Sequence, residues 1–178
     1  MTAYLPRDQQ PPRPWKNGGG VTRTLAVWPE GAGLDAFDWR LSAADIATDG
    51  PFSVFPGIDR VLVLLRGTNL VLAVDGQEHP LTHPGDLLAF PGEAAVRGRL
   101  QAGPTWDLNV MVRRGRAQAQ VDVRPGGFEA NGFVVGLGGP VTVDGRTLHL
   151  GDLAWGNGMD VEGTGRVVHI QLVGPSPR

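Results

Sequence analysis

The sequence predicts an all-β fold, and three observations carry that expectation. Short β-branched and leucine-rich stretches recur along the chain, with Gly, Pro, Asp or Asn between most of them, at strand-and-turn spacing. Glycine (27) and proline (15) make up about a quarter of the 178 residues, about twice the usual share. No long amphipathic helix period appears. In a sequence with 41% hydrophobic residues, such an excess of turn formers marks short strands joined by many turns rather than disorder. A chain of this length buries roughly 70% of the surface its unfolded form exposes, so a substantial core is available.

The elements follow in order. The first fourteen residues, "MTAYLPRDQQPPRP", hold four prolines and read as an extended arm. They contain no apolar h-region, so no secretion signal is expected. Strands are then predicted at Val21–Trp28, Phe37–Ala43, Arg60–Leu65, Asn69–Val74, Asp86–Phe90, Trp106–Val112, Phe133–Leu137 and Arg166–Val173. The segment "LSAADIATDG" (41–50) fits either a helical turn or a strand end. "VDG" occurs at 74–76 and again at 143–145, supplying the Asp-Gly signal of a tight hairpin. The longer stretch "VDGQEHPLTHPGDLLAFPG" (74–92) matches "VDGRTLHLGDLAWGNG" (143–158) once three residues are taken out. This points to an internal duplication with equivalent corners at Gly85-Asp86 and Gly151-Asp152, against chance similarity in a glycine-rich chain. The expected organisation is an arm and first half over 1–117 and a smaller second half over 118–178. Some sixty residues are scant for a closed barrel, so the second half is expected to share strands with the N-terminal segment, around Val21–Trp28.

Charge and composition exclude several classes. A net charge of -2 offers no electrostatic case for nucleic acid or an anionic membrane. The absence of cysteine removes disulfides, thiolate metal sites and a Cys nucleophile, and fits a cytoplasmic protein. Unbroken apolar runs such as 61–65 are too short to span a bilayer.

Three blocks carry a resemblance. "PWKNGGGVTR", "FDWRLSAADIATDGPFSVFPGIDR" and "DLNVMVRRG", spread between Pro14 and Gly115, resemble the HutD/Ves family, and "GDLLAFPG" resembles the second cupin motif. The resemblance implies a bicupin fold: two cupin-like jelly-roll β-barrels or sandwiches with little helix. For the HutD branch it also implies an association with bacterial histidine utilisation and a regulatory role through N-formylglutamate, with no catalytic activity firmly attached. Ves-type members lie outside that pathway, so membership alone does not fix the ligand. Homodimers are common among cupins, and a homodimer is compatible with this chain.

Most cupin enzymes hold a divalent metal with an H-x-H pair, a Glu and a third His. Aligned on Gly67, those positions fall at about Ser53 and Phe55, Arg60, and Ala94 or Ala95, none of them a ligand. His79 and His83 lie in "HPLTHP", which reads as a turn, while His149 and His169 lie in the other half. No set of two histidines and a carboxylate has metal-site spacing, so neither metal nor cofactor is expected.

The candidate ligand-binding residues are Trp15, Lys16, Asn17, Gly18, Gly19, Arg23, Asp59, Arg60 and Asn109. Lys16 is the only lysine in the chain, and three glycines follow Asn17. Glycines free the backbone for positive φ and close approach, and successive N–H groups in such a turn can form an anion-binding nest. Lys16 adds a flexible point charge, Asn17 an amide and Trp15 an apolar wall. A flexible hinge is the plain alternative. Arg23 falls in phase with Val21, Leu25 and Val27, and Arg60 with Leu62 and Leu64. An arginine on an apolar face either meets an anion or snorkels to water. Asp59 is a candidate partner of Arg60. In "WDLNVMV", Asp107, Asn109 and Met111 share a face that either lines a cavity or faces out. Arg40 reads as a solvated surface position, and Arg113, Arg114 and Arg116 as a solvated turn.

Two functions from different classes fit. One is a binding protein for a small acidic metabolite, N-formylglutamate being the candidate. The other is a metal-free enzyme, an isomerase or hydrolase acting on a small carboxylate, with Asp59 or Lys16 as its base. No nucleophile–base pair is visible, and no catalytic residue is assigned. A scaffold that pairs β surfaces with another chain finds no charged or heptad-patterned segment to support it.

Overall fold

A computed structural model describes residues 1–15 and 18–174. Lys16 and Asn17, two of the candidates, lie outside the described residues. The N-terminal segment carries β1 (Ala3–Leu5), a short 3-10 turn at Arg7–Gln9, and β2 (Pro12–Pro14). Next come β3 (Gly20–Trp28), β4 (Trp39–Ile46), β5 (Gly50–Pro51), β6 (Ile58–Arg66), β7 (Leu70–Val74) and β8 (Gln77–Leu81). β9 (Leu87–Pro91), β10 (Val96–Leu100), β11 (Thr105–Arg113) and β12 (Gln118–Pro125) follow. The remaining strands are β13 (Phe128–Gly138), β14 (Val141–Val143), β15 (Arg146–Thr147), β16 (Leu153–Gly163) and β17 (Arg166–Val173). The fold is all-β and cupin-like. Among the described residues no helix is long and apolar enough to cross a membrane.

The chain divides into two compact units, one of residues 11–118 and one of residues 1–10 with 119–173. In the first, a six-stranded sheet runs β2-β3-β4-β11-β6-β9 and a four-stranded sheet runs β5-β10-β7-β8. β6 and β11 are buried on both faces over most of their length, which is why "VLVLL" and "LNVMV" read as nearly continuous apolar runs. One of those faces is the interior of the unit. There Leu62 and Leu64 meet Leu70, Leu72, Phe90 and Val96 in one cluster, with Phe52 packed against it. Burying each such side chain contributes about 1.5–3 kcal/mol. "LSAADI" is strand: β4 runs unbroken to Ile46. His79 lies in β8, an edge strand of the four-stranded sheet where Pro80 is tolerated, rather than in a turn.

In the second unit the sheet order is β12-β17-β13-β16-β14-β15, with β1 also on β16. Its core gathers Val134, Val143, Leu148, Met159, Val161 and Val167, with Tyr4 and Phe128 packed on it. The N-terminal strand that joins this sheet is Ala3–Leu5, not the segment around Val21–Trp28. β3 pairs with β2 and β4 instead. The reason lies in Tyr4, whose ring packs on that core while its hydroxyl donates to the Val143 carbonyl at 2.7 Å.

The two halves of the sequence repeat adopt the same local geometry. Asp75 and Asp144 both have positive φ and precede glycines of positive φ (86° and 74°), as a tight hairpin requires. Each aspartate accepts a distant backbone N–H, Asp75 from Ala95 just before β10 and Asp144 from Asp160 in β16, both at 2.8 Å. At the Gly-Asp corners, Asp86 Oδ2 accepts the His83 N–H and Asp152 Oδ2 accepts the His149 N–H, each at 3.0 Å.

Candidate functional site

β11 runs between β4 and β6 in the six-stranded sheet. Its register sets Asp107 opposite Ala44 and Leu64, Asn109 opposite Ser42 and Leu62, and Met111 opposite Arg40 and Arg60. Residues paired across strands share a face, so all of these side chains are on the inward side with Leu62 and Leu64. A polar row is thus laid along one wall of an apolar interior.

Arg60 is the centre of that row and is only 5% exposed. Its Nε and Nη2 both donate to Asn109 Oδ1, at 3.2 and 2.8 Å, and its Nη1 donates to the Ser53 carbonyl at 3.2 Å. The rings of Phe52, Phe55 and Phe90 surround the guanidinium, with centroids 5.7, 5.4 and 4.9 Å from Cζ. Burial lowers the Arg60 pKa to about 10, against the pull of Asp107, so the side chain remains a cation near neutral pH. Asn109 Nδ2 donates to Asp107 Oδ1 at 3.1 Å. Asp107 is fully buried and, among the described residues, its Oδ2 accepts no hydrogen bond. Burial pushes its pKa up to about 7, although Arg60 and the Asn109 hydrogen bond pull it down; Asp45 pushes it further up. Cation, amide and carboxyl therefore form one connected chain inside the unit.

A shallow cleft of about 260 Å³, open solvent included, is lined by Trp15, Gly19, Ile46, Gly50 and Phe52 among others. Ile46 pairs with Thr105, and Ala44 with Asp107, so the interior wall leads from the cleft past Asp107 and Asn109 towards Arg60. Phe52 belongs to both places, lining the cleft and stacking near the guanidinium. Trp15 is held at the cleft by its Nε1–H, which donates to Thr22 Oγ1 at 2.7 Å. Gly20 makes room for it: a Cβ there would stand 3.0 Å from the indole and 2.4 Å from the Asp45 carbonyl. Beside the triglycine, Trp15 N–H donates to the Gly20 carbonyl at 2.9 Å and Gly18 N–H to the Trp15 carbonyl at 3.0 Å. Gly18 has φ +71°, and Gly19 lines the cleft.

Of the sequence candidates, Arg60 and Asn109 meet in the interior, while Trp15 and Gly19 meet at the cleft with Gly18 in the adjoining turn. Arg23 and Asp59 do not join them. Arg23 pairs with Ala43 on the reverse face of the sheet, where its guanidinium forms an ion pair with Asp45. Asp59 points away from Arg60 along β6 and binds Arg114 at 3.0 Å. Arg40 is not the solvated residue its phase implied. It is half-buried on the inward face and donates to Thr24 Oγ1 at 2.8 Å, and burial lowers its pKa, helped by Arg13. Asp107 and the three phenylalanines were not among the candidate ligand-binding residues. Asp107 had a visible signal, sharing the phase of Asn109 and Met111, but nothing in one strand says which neighbours flank it.

The residues present do not fit a cupin metal. At the position expected of the ligating Glu stands the Arg60 cation, enclosed by aromatic rings and an amide, and a divalent ion there would meet like charge. Among the described residues no three His, Cys, Asp or Glu side chains gather into a set that could hold an ion.

The chain has counterparts among known proteins. The HutD family profile matches residues 7–160. An uncharacterized 21.2 kDa protein in the hutC 3' region of Pseudomonas putida is 43% identical over 118 residues, 66% of this chain. That match spans 62% of the relative, less than two thirds of its length. Protein Ves of Citrobacter koseri is 38% identical over 151 residues, 84% of this chain and 76% of the relative. The solved structure of HutD from Pseudomonas fluorescens SBW25, in a formate condition, superposes with a TM-score of 0.83 at 31% identity. It covers 98% of this chain and 100% of that one. The chain belongs to the HutD/Ves family, with its cupin-like fold.

Proposed function

We propose that this protein is a metal-independent binding protein for a small acidic metabolite, with N-formylglutamate as the candidate, and that it serves a regulatory role linked to histidine utilisation. The link to the pathway comes from the HutD family and from the Pseudomonas putida relative in the hutC 3' region. One observation carries the ligand class: a buried arginine whose hydrogen bonds, among the described residues, go to neutral acceptors, Asn109 Oδ1 and the Ser53 carbonyl. A buried cation without a bonded carboxylate is costly, and an arriving carboxylate offsets that cost through a two-point contact with the guanidinium. Asn109 then reads an amide or formyl group, since its amide both donates and accepts. Phe52 and Trp15 supply apolar walls at the entry. Lys16 and Asn17 follow Trp15 in sequence and are further candidates for holding a carboxylate.

A second reading is favoured by Asp107. A buried carboxyl with a pKa raised to about 7 is poised for general acid–base work on a bound small carboxylate, which would make the protein a metal-free isomerase or hydrolase. Calorimetry with N-formylglutamate in the presence of a chelator, followed by analysis of the recovered ligand, separates the two. Saturable binding with intact ligand is the outcome expected here. Turnover with the chelator present supports the enzyme, and loss of binding on chelation contradicts metal independence.

A further inference from the structure

This inference deepens the binding role just proposed and rests on it. Asp107 lies between the cleft and Arg60, two residues along β11 from Thr105, the cross-strand partner of the cleft residue Ile46. Its Oδ1 is occupied by Asn109, and its Oδ2 is buried without a partner among the described residues. A buried acceptor left open is rare and costly, and an ionised one more so. The surroundings show how the cost is met. From β6 the Arg60 cation faces Asp107 and favours its ionised form. From β4 come Arg40 on the same face and, from the reverse face, Asp45, which opposes ionisation. β3 contributes the neutral hydroxyls of Thr22 and Thr24. β9 contributes Leu88 and Phe90, β7 and β10 contribute Leu70, Leu72 and Gly98, and β8 carries one titratable residue in phase with them, His79. Arg60 is thus the close cation that supports a charge on Asp107. A ligand carboxylate on Arg60 claims that cation and adds a second anion to the same low-dielectric interior.

We infer that Asp107 is a further ligand-reading residue of this site: it takes up one proton from solvent as an acidic ligand binds Arg60, and its new Oδ2–H donates to an oxygen of that ligand. The O–H forms on the oxygen that has no partner among the described residues, so an open acceptor becomes a satisfied donor. The raised pKa of the free protein leaves little work for that protonation near neutrality. Specificity follows from the donor. The site takes ligands that present oxygen acceptors, such as dicarboxylates and N-acyl amino acids, over free amino acids, whose ammonium finds a neutral acid in place of a carboxylate.

The test is calorimetry of the full chain with N-formylglutamate from pH 6 to 9, in buffers of low and high ionisation enthalpy. The ligand's own carboxylates are ionised throughout this range. Uptake of close to one proton per ligand at pH 8 is expected, with affinity falling about tenfold per pH unit above pH 7. Asp107→Asn should abolish both the uptake and the slope in whatever binding remains. Should that variant not fold, the wild-type slope and uptake decide the matter alone. Wild-type binding with no proton uptake and a flat pH profile overturns the inference while leaving the binding role intact, and so does unchanged uptake in Asp107→Asn. Absence of binding at every pH removes the binding role and this inference with it. Glutamate binding as tightly as N-formylglutamate contradicts the donor assignment.

Discussion

At the scale of single residues, the buried Asp107 couples stability to pH. The pKa of Asp107 is raised from 3.8 to about 7 on folding, so the folded chain holds this proton more tightly than the unfolded one. Its contribution is therefore whole below the unfolded value and is lost as pH climbs through the folded one, at up to about 1.4 kcal/mol per pH unit. Urea unfolding of wild type and Asp107→Asn at pH 4.5 and pH 8 measures this as a difference between the two proteins. Wild type should lose stability relative to the variant as pH rises, and equal pH profiles would exclude the buried acid. Sequence phase set Arg60 on the face of Leu62 and Leu64 but left open whether it meets an anion or reaches water. It also left the Asn109 face undecided between cavity and exterior; pairing with β6 puts both inward. The same phase misplaced Arg40 and left Arg23 undecided. An arginine flanked by Trp39 and Leu41 reads as the odd residue out until β11 supplies Met111 opposite it.

At the scale of elements, the Gly-Asp corners are the devices that the two halves share. Asp86 takes the N–H groups of Thr82 and His83, and hydrogen bonds from that backbone hold its pKa below the ordinary range. Asp152 takes the N–H groups of His149 and, through Oδ1, Arg7. Asp86→Ala and Asp152→Ala should each cost about 1–2 kcal/mol in equilibrium unfolding, the range for removing a side-chain acceptor from backbone donors. A null effect at one corner and a large one at the other would mean that the repeat is geometric but not energetic. These corners were legible in the sequence because Asp and Gly carry their conformation locally. β16, which spans Leu153–Gly163, is not one of the eight strands predicted from β-branched stretches, because its glycines at 156 and 158 break that pattern. Gly156 faces the N-terminal backbone closely, and a Cβ there would stand 3.0 Å from the Met1 carbonyl. Such a contact depends on β1 and is invisible in β16 alone.

At the scale of the whole molecule, all-β character and family were readable, while the grouping of distant segments was not. The need for an added N-terminal strand could be deduced from the second half's length, yet the choice of Ala3–Leu5 over Val21–Trp28 depends on where Tyr4 packs. The same holds for function, since one strand offers a phase and the interior is defined only when β4, β6 and β11 lie side by side. The central claim is that the inward arginine of the 11–118 unit, and not the arginine on the reverse face, receives an acidic ligand. Calorimetric titration of N-formylglutamate into wild type, Arg60→Met and Arg23→Met tests it most directly. Loss of at least about 100-fold in affinity is expected for Arg60→Met, the scale of about 2.7 kcal/mol for a charged hydrogen-bonded contact. Arg23→Met should bind within about twofold of wild type. Retained affinity in Arg60→Met, with both variants folded, would contradict the account.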